Sequence, residues 1–406
     1  MIVSKRPDLD PSAAMTDDQA LAEARDLLAR APIFDGHNDL PWVIRIDAQA
    51  KGDVDAYDLT RVHERGDTDI PRLREGFVGA QFWAAFQPTS APHPARTTLE
   101  QIDLIRRIES AYPEVFYPAR SAADFSRARR AAKIASYVAV EGGVGLENSL
   151  APLRIWHAAG MRLMTLCHNE SLDWVDSATD APRSGGLNAF GRAVVAELNR
   201  LGVLVDCAHV SHEGIRRVLE ASVAPIVLSH SNAFALCDHP RNAPDDVLRR
   251  LKANGGVVMA TFVPGFASQA LRDWLRRGRD NHGKAPIAAD PKAQFSEMET
   301  RYGPAPRASL SDVANHVEHL VAIAGVDHVG LGSDFFGGPQ PIGLEHVGRF
   351  PHLIAELCRR GFSALDLEKI ASGNVIRAMR KAERVGEALR RTRGPWLGRI
   401  EDYPGA

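Results

Sequence analysis

An α/β fold, a (β/α)8 TIM-type barrel with extra C-terminal helices and loop insertions, is what this sequence predicts, and three observations predict it. Short apolar runs recur eight times over roughly 300 residues, at Pro32–Asp35, Val78–Trp83, Ile134–Val140, Met161–Leu166, Val203–Asp206, Ile226–Leu228, Val257–Ala260 and Val329–Leu331. Runs of this length without alternation read as strands buried on both faces. Helix-like stretches separate several of them, and many end in a polar or glycine-containing cluster, as barrel strands do at their C-terminal rim. No G-x-G-x-x-G follows the first run and no P-loop occurs, so nucleotide-binding readings lose their main support. No unit of 20 to 50 residues repeats, which sets solenoids and propellers aside.

The intervening elements follow in order. Leu21, Ala24, Leu27 and Leu28 recur at helical spacing and predict one helix ahead of the first strand. Thr97-x-x-Glu100 reads as a capping box that opens a helix through Ile102, Ile105 and Ile108. Leu187, Phe190, Val194 and Leu198 form the apolar stripe of another, with Gly202 as its stop. Ser311 reads as the N-cap of a helix with Val313, Val317, Leu320 and Val321 on its inner face, ended by Gly325. Two Pro/Gly-rich, weakly periodic stretches, Gln87–Arg96 and Arg279–Ala308, read as surface excursions, and Ser363–Arg391 as helices packed outside the barrel. The organisation expected is an N-terminal extension over residues 1–30, a single barrel domain with its C-terminal helices over 31–391, and a tail over 392–406.

Composition narrows the function classes. The 406 residues carry 49 Lys+Arg against 51 Asp+Glu, and the net charge of -2 offers no one-signed field for nucleic acid or an anionic membrane. A hydrophobic fraction of 45% with 25% charged residues is that of a globular chain. No apolar run approaches the roughly 20 residues that cross a bilayer, and the opening MIVSKRPDLDPSAAMTDD lacks the apolar core of a secretory signal. A cytoplasmic protein without a membrane partner is expected. Cys167, Cys207, Cys237 and Cys358 show no C-x-x-C spacing, so neither a disulfide framework nor a structural zinc knuckle is indicated.

The ionisable residues at the strand ends are coherent. The first strand ends in Asp35-Gly-His37-Asn-Asp39, where His37 and Asp39 share one face about 7 Å apart and can grip one cation. The third ends in Glu141-Gly-Gly, the fourth in Cys167-His168, the fifth in Asp206-Cys-Ala-His209, the sixth in Ser229-His230 and the eighth in Gly332-Ser-Asp334. A lone strand-end histidine is more often structural than a ligand, and His63, His157, His212, His239, His316, His319, His328 and His352 are read that way. Asp58, Asp206 and Asp238 are read as capping or loop carboxylates. Cys207 reads as a small apolar filler, and a Cys167/His168 nucleophile pair is weak because adjacent strand residues face opposite sides. Convergence argues otherwise for His37, Asp39, Glu141, His209 and His230, which come from four strands and meet only if the barrel closes. Three imidazoles and two carboxylates suit zinc, with manganese or iron open by ligand type. Five ligands exceed a mononuclear catalytic zinc, whereas one carboxylate bridging two ions about 3.5–4 Å apart accommodates them all.

These residues carry a resemblance. The chain resembles the membrane dipeptidase (renal dipeptidase) family, binuclear zinc peptidases of the amidohydrolase-like barrels. The likeness lies in Phe34-Asp-Gly-His-Asn-Asp-Leu-Pro-Trp42, Val140-Glu-Gly-Gly143, Met164-Thr-Leu-Cys-His-Asn169 with Trp174, the stretches 187–211 and 224–248, Val329-Gly-Leu-Gly-Ser-Asp-Phe335 and Gly373-Asn-Val-Ile-Arg377. It implies one zinc on His37, Asp39 and Glu141 and a second on Glu141, His209 and His230. It also implies that His168 contacts the scissile carbonyl, that Arg241 holds the substrate's terminal carboxylate and that Asp334 meets its amino group or shuttles protons. The activity implied is hydrolysis of dipeptides by a hydroxide bridging two zinc ions, in a homodimer, with a D-residue accepted at the C-terminal position. Asp39 in place of a His-x-His pair, and no lysine near His168, count against other amidohydrolases; a β-lactam or N-acyl amino acid substrate would use the same metals. Val144 stands where many relatives have His, Phe336 where an acidic residue is usual, and Thr261-Phe-Val-Pro264 where animal members carry an aromatic. These departures bear on the side-chain preference and remove no ligand.

Overall fold

The structure is a computed structural model, which describes residues 15–64, 66–280 and 291–405. Its strands are β1 (Ile33–Asn38), β2 (Val78–Phe86), β3 (Phe116–Pro118), β4 (Ile134–Glu141), β5 (Met161–Thr165), β6 (Leu204–Asp206), β7 (Ile226–Leu228), β8 (Val257–Ala260) and β9 (Val329–Leu331). All pairings are parallel, in the order β2-β1-β9-β8-β7-β6-β5-β4, and β2 pairs again with β4 from Ala80/Ala135 to Phe86/Glu141, closing an eight-stranded ring. Eight parallel strands separated by helices make this a TIM-type barrel.

The sequence reading missed β3. Strand β5 joins β4 only from Val138 onward, and β3 covers the free edge before that, pairing Phe116, Tyr117 and Pro118 with Ile134, Ala135 and Ser136. A three-residue strand ending in proline has too short a pattern to be read from sequence.

The lower barrel is filled by aromatics. Phe34, Phe82 and Tyr137 meet at ring-centroid distances of 5.0, 5.2 and 5.4 Å. Val375, Ile376, Met379 and Ala382 of the helix Asn374–Thr392 belong to the same buried cluster, so this helix plugs the N-terminal end of the barrel as well as flanking it. The opposite end is left for polar groups.

Several boundaries differ from expectation. The helix expected to open at Thr97 begins at Pro94 with His93 as N-cap; Thr97 is interior and the Thr98 hydroxyl donates to Pro94 O. Proline at the first helical position outcompetes the capping box as a start signal. The helix Leu310–Ala324 is capped by Ser309, not Ser311, in a reciprocal box with Asp312. A helix, Asp17–Arg30, stands ahead of β1, and residues 1–14 of the expected extension lie outside the described residues. The excursion assigned to Arg279–Ala308 is partly helical: Gln269–Asp280 and Pro291–Tyr302 share a small core of Leu271, Trp274 and Met298, while residues 281–290 lie outside the described residues. The segment after 392 is fastened to the barrel, with Trp396 N donating to Glu197 and the Tyr403 ring packed edge-on to Phe190 at 5.6 Å. Among the described residues no helix is long and apolar enough to cross a membrane.

Candidate metal centre

The strand ends deliver the expected residues to one rim. His37 is the penultimate residue of β1 and Glu141 the last of β4; Asp39, His209 and His230 follow the ends of β1, β6 and β7. Asp39 has left the strand, with φ -91 and ψ 14 as the N-cap of Leu40–Ile46, yet its Oδ2 lies 3.6 Å from His37 Nε2. Glu141 sits at the centre and is 3% exposed. Its Oε2 lies 3.5 Å from His37 Nε2, while its Oε1 lies 3.1 Å from His209 Nε2 and 3.8 Å from His230 Nε2. The two oxygens thus face two different groups, His37 with Asp39 and His209 with His230, and each triad has its ligand atoms within 4.8 Å of one another. A third group, His37, His230 and Asp334, meets the same criterion.

The donor set fits a cation. Both nitrogens of His37 and Nδ1 of His209 are buried without a hydrogen-bond partner among the described residues, and His209 Nε2 lies 3.0 Å from His230 Nε2. Converging lone pairs are costly to bury unless a proton or metal ion lies among them. Electrostatics point the same way. Burial works to depress the His37 imidazole, yet Glu141 and Asp39 carry it well above the ordinary histidine range. Burial works to raise Glu141, but His37 and the bond from His209 hold it well below the usual carboxylate range. His209 and His230 are driven well below by burial, reinforced by Arg241 for the first and by His37 for the second.

Behind the ligands stand two buried carboxylates. Asp206 accepts from Thr165 Oγ1 and Ser229 Oγ at 2.6 Å each and from the amides of Ser229 and Ala208 at 2.9 and 3.1 Å. The single Ser229 hydroxyl proton is committed to Asp206, so at 2.8 Å its oxygen accepts from His230 Nδ1. That fixes the tautomer and leaves Nε2 of His230 with a lone pair toward Glu141. Asp35 accepts from Ser333 N and Oγ at 2.8 and 2.7 Å, and Asp334 N donates to His37 O, which ties β9 to β1 below the site. Asp206 is therefore a bracing carboxylate between strands, and Cys207 is a buried thiol whose ionisation burial opposes. Gly142 adopts φ 100 so that its carbonyl can accept from Gln87 Nε2 at 2.5 Å, a conformation a side chain would strain.

Above the ligands lies a cleft of about 250 Å³ lined by Asp39, Glu141 and His209 with His168, Arg241 and Asp334. His168 lies between the rings of Phe86 and His209, at 4.6 and 4.4 Å, and burial lowers its pKa. Arg241 is 5% exposed, donates to Ala208 O at 2.7 Å and has no carboxylate in ion-pair range among the described residues. Asp334 is pushed up to about 7 by burial, opposed by His37 and reinforced by Asp39. Its loop is held in an unusual shape: Asp334 and Phe336 have φ 63 and 71, and Phe336 N is anchored by Asp67 at 3.0 Å. A Cβ on Gly337 would lie 2.2 Å from Asp334 Oδ1, so only glycine leaves that carboxylate its place.

The histidines read as structural have ordinary partners where the structure gives them: His63 and His212 bond to the carbonyls of Asp58 and Asn242, His328 to Gly256 O, and His319 to Asp245. Residues not singled out from sequence supply the aromatic walls. Trp42, Phe86 and Phe266 line the cleft, and Phe266, on the short helix Pro264–Ala267, provides an aromatic ring just beyond the Thr261–Pro264 departure. Trp42 lay inside a recognised motif; Phe266 had no signal, since one phenylalanine after a strand resembles any other.

Comparison with known proteins agrees with this geometry. Residues 21–393 match the family model described as membrane dipeptidase (peptidase family M19). The chain is 38% identical over 379 residues to Dipeptidase 3 of Rattus norvegicus, covering 91% of this chain and 68% of that protein. It is 36% identical over 399 residues to Dipeptidase aclJ of Aspergillus oryzae, covering 95% and 86%. Among solved structures it resembles the probable dipeptidase PvdM from Pseudomonas aeruginosa, with a TM-score of 0.78, 26% identity, and coverage of 91% of this chain and 99% of that one. The chain therefore belongs to the membrane dipeptidase family, peptidase family M19, a family of metallo-dipeptidases.

Proposed function

We propose that this protein hydrolyses the peptide bond of dipeptides at a binuclear zinc site bridged by Glu141. The observation that carries the reading is the division of Glu141, with Oε2 toward His37 and Asp39 and Oε1 toward His209 and His230. When bound, two such ions supply Lewis-acid polarisation and lower the pKa of water toward neutrality. The chain's own residues do the rest. His168, kept neutral by burial, donates a hydrogen bond to the scissile carbonyl oxygen as negative charge builds there. The Asp334 carboxylate accepts the proton of the attacking water and returns it to the leaving amine. Arg241, a buried cation without a carboxylate partner among the described residues, takes the substrate's terminal carboxylate. With Asp334 also meeting the free amine, both ends of a dipeptide are read at once, and the C-terminal position admits a D-residue.

The test is a metal count by plasma mass spectrometry combined with a panel of dipeptides, C-amidated dipeptides and tripeptides. We expect two zinc ions per chain, chelator-sensitive turnover, and a loss of about 100-fold or more in kcat/KM when one charged end is blocked. One ion in fully active enzyme, or equal turnover of free and amidated dipeptides, would refute the reading. A cytoplasmic homodimer completes the proposal, and sedimentation showing only the 44.2 kDa chain at micromolar concentration would count against the dimer.

A further inference from the structure

Next to the catalytic cleft lies a larger chamber of about 670 Å³ that the mechanism leaves unused. Val263 and Phe266 line both, so these two residues stand at the boundary between the cleft and the chamber. The helical insertion contributes Leu271, Leu275, Ala305 and Pro306 to its lining, and Leu275 and Ala305 pack on the same small core as Leu271. Three arginines line it, Arg272, Arg276 and Arg307; Arg272 Nε and Arg276 Nη1 both donate to Asp238, at 2.8 and 2.7 Å, and Glu299 brings an opposite charge to the same lining. What remains facing inward from these elements is mostly aliphatic and aromatic.

Phe266 also connects the chamber to one end of the substrate. The Arg241 guanidinium lies over its ring at 5.2 Å, and His239, which lines the chamber, packs on the same ring at 4.2 Å and accepts from Arg241 N. A carboxylate held by Arg241 would lie close to Phe266, which stands on the boundary between the cleft and the chamber. We propose that this chamber is the specificity pocket for the C-terminal residue of the dipeptide and that it selects large apolar side chains, with Val263 and Phe266 as its threshold and the insertion as its outer wall. The proposal rests on the dipeptidase reading above.

The experiment measures kcat/KM for Ala-Gly, Ala-Leu, Ala-Phe and Ala-Glu with the zinc-loaded protein and with two variants that fill the chamber from two segments of its lining, Leu275→Trp and Ala305→Trp, each checked for cooperative unfolding. The expected Ala-Phe to Ala-Gly ratio is about 10 or more in the unmodified enzyme, falling toward about 1 in either folded variant. A ratio near 1 in the unmodified enzyme, a ratio unmoved by both fillings, or a preference for Ala-Glu would overturn the assignment. If no dipeptide is cleaved, the dipeptidase reading fails by itself. The chamber is then judged by calorimetric titration of Ala-Phe and Ala-Gly into the same protein: tighter binding of Ala-Phe supports it, and equal binding overturns it.

Discussion

Ser229 has one hydroxyl proton and two buried neighbours that want different things from it. Asp206 can only accept, so it takes the proton, and His230 must then present Nδ1–H to the serine oxygen. The consequence reaches the metal site without touching it, because the nitrogen left bare on His230 is the one aimed at Glu141. Removing the acceptor at either step should free the ring to rotate or change tautomer. Ser229→Ala and Asp206→Asn should each weaken zinc binding by about 10- to 100-fold, read by competition with a calibrated chelator, while Ser229→Thr should retain most of the affinity. Affinity unchanged in both variants would mean that packing alone orients the imidazole. From sequence Asp206 looked like a loop carboxylate, since alternation along a strand says which face a side chain takes and nothing about which hydroxyl it will meet. His37, Glu141, His209 and His230 were legible because each chemically distinctive residue stood at the end of an apolar run, and barrel closure left them one place to converge.

Between elements, His316 performs a task that composition hides. It lies on the inner face of the helix Leu310–Ala324, accepts at Nδ1 from Ala233 N and donates at Nε2 to Ala267 O, at 3.1 and 3.0 Å. It thereby ties that helix to the loop after β7 and to the short helix that carries Phe266. A second proton on the ring would point at the Ala233 amide. Burial accordingly pushes its pKa down to about 4 from the ordinary 6.5. The unfolded chain takes up that proton first as pH falls, so the contribution is complete above about 6.5 and is lost progressively down to about 4. It amounts to at most about 3 kcal/mol. Denaturant unfolding at pH 7.5 and 5.0 should show stability dropping over this window, and His316→Phe, though less stable at both, should show a smaller drop. An undiminished drop would assign the effect to other histidines, His157 first, which burial also lowers to about 4. Element boundaries were the least legible part of the fold. Proline at helix position one overrode the Thr97 capping box, and the Ser309–Asp312 box began two residues before the serine chosen, because a cap is decided by backbone geometry that several nearby polar residues can satisfy.

At the scale of the molecule, the proposed ligand set would double as a clasp. Its residues sit at the ends of β1, β4, β6 and β7, half of the eight strands that close the ring, and they bring buried nitrogens and carboxylates together without enough hydrogen bonds among the described residues to satisfy them. Without cations this rim would be a cost to the fold; with them it would be a cross-link among strands that are distant in sequence. An ion that binds the folded chain and not the unfolded one stabilises it by mass action, worth about 4 kcal/mol per site when free ion exceeds its Kd a thousandfold. Chelation should therefore lower the midpoint of thermal unfolding and not merely abolish turnover, and back-titration with zinc should raise it with the logarithm of the free concentration. Glu141→Gln, which weakens both triads at once, should lose most of that rise, whereas Asp39→Asn, which touches one triad, should lose only part. The two variants together separate a bridged pair of sites from a single one: equal losses in both would indicate one ion, and a midpoint indifferent to zinc would mean the rim is held by the protein alone.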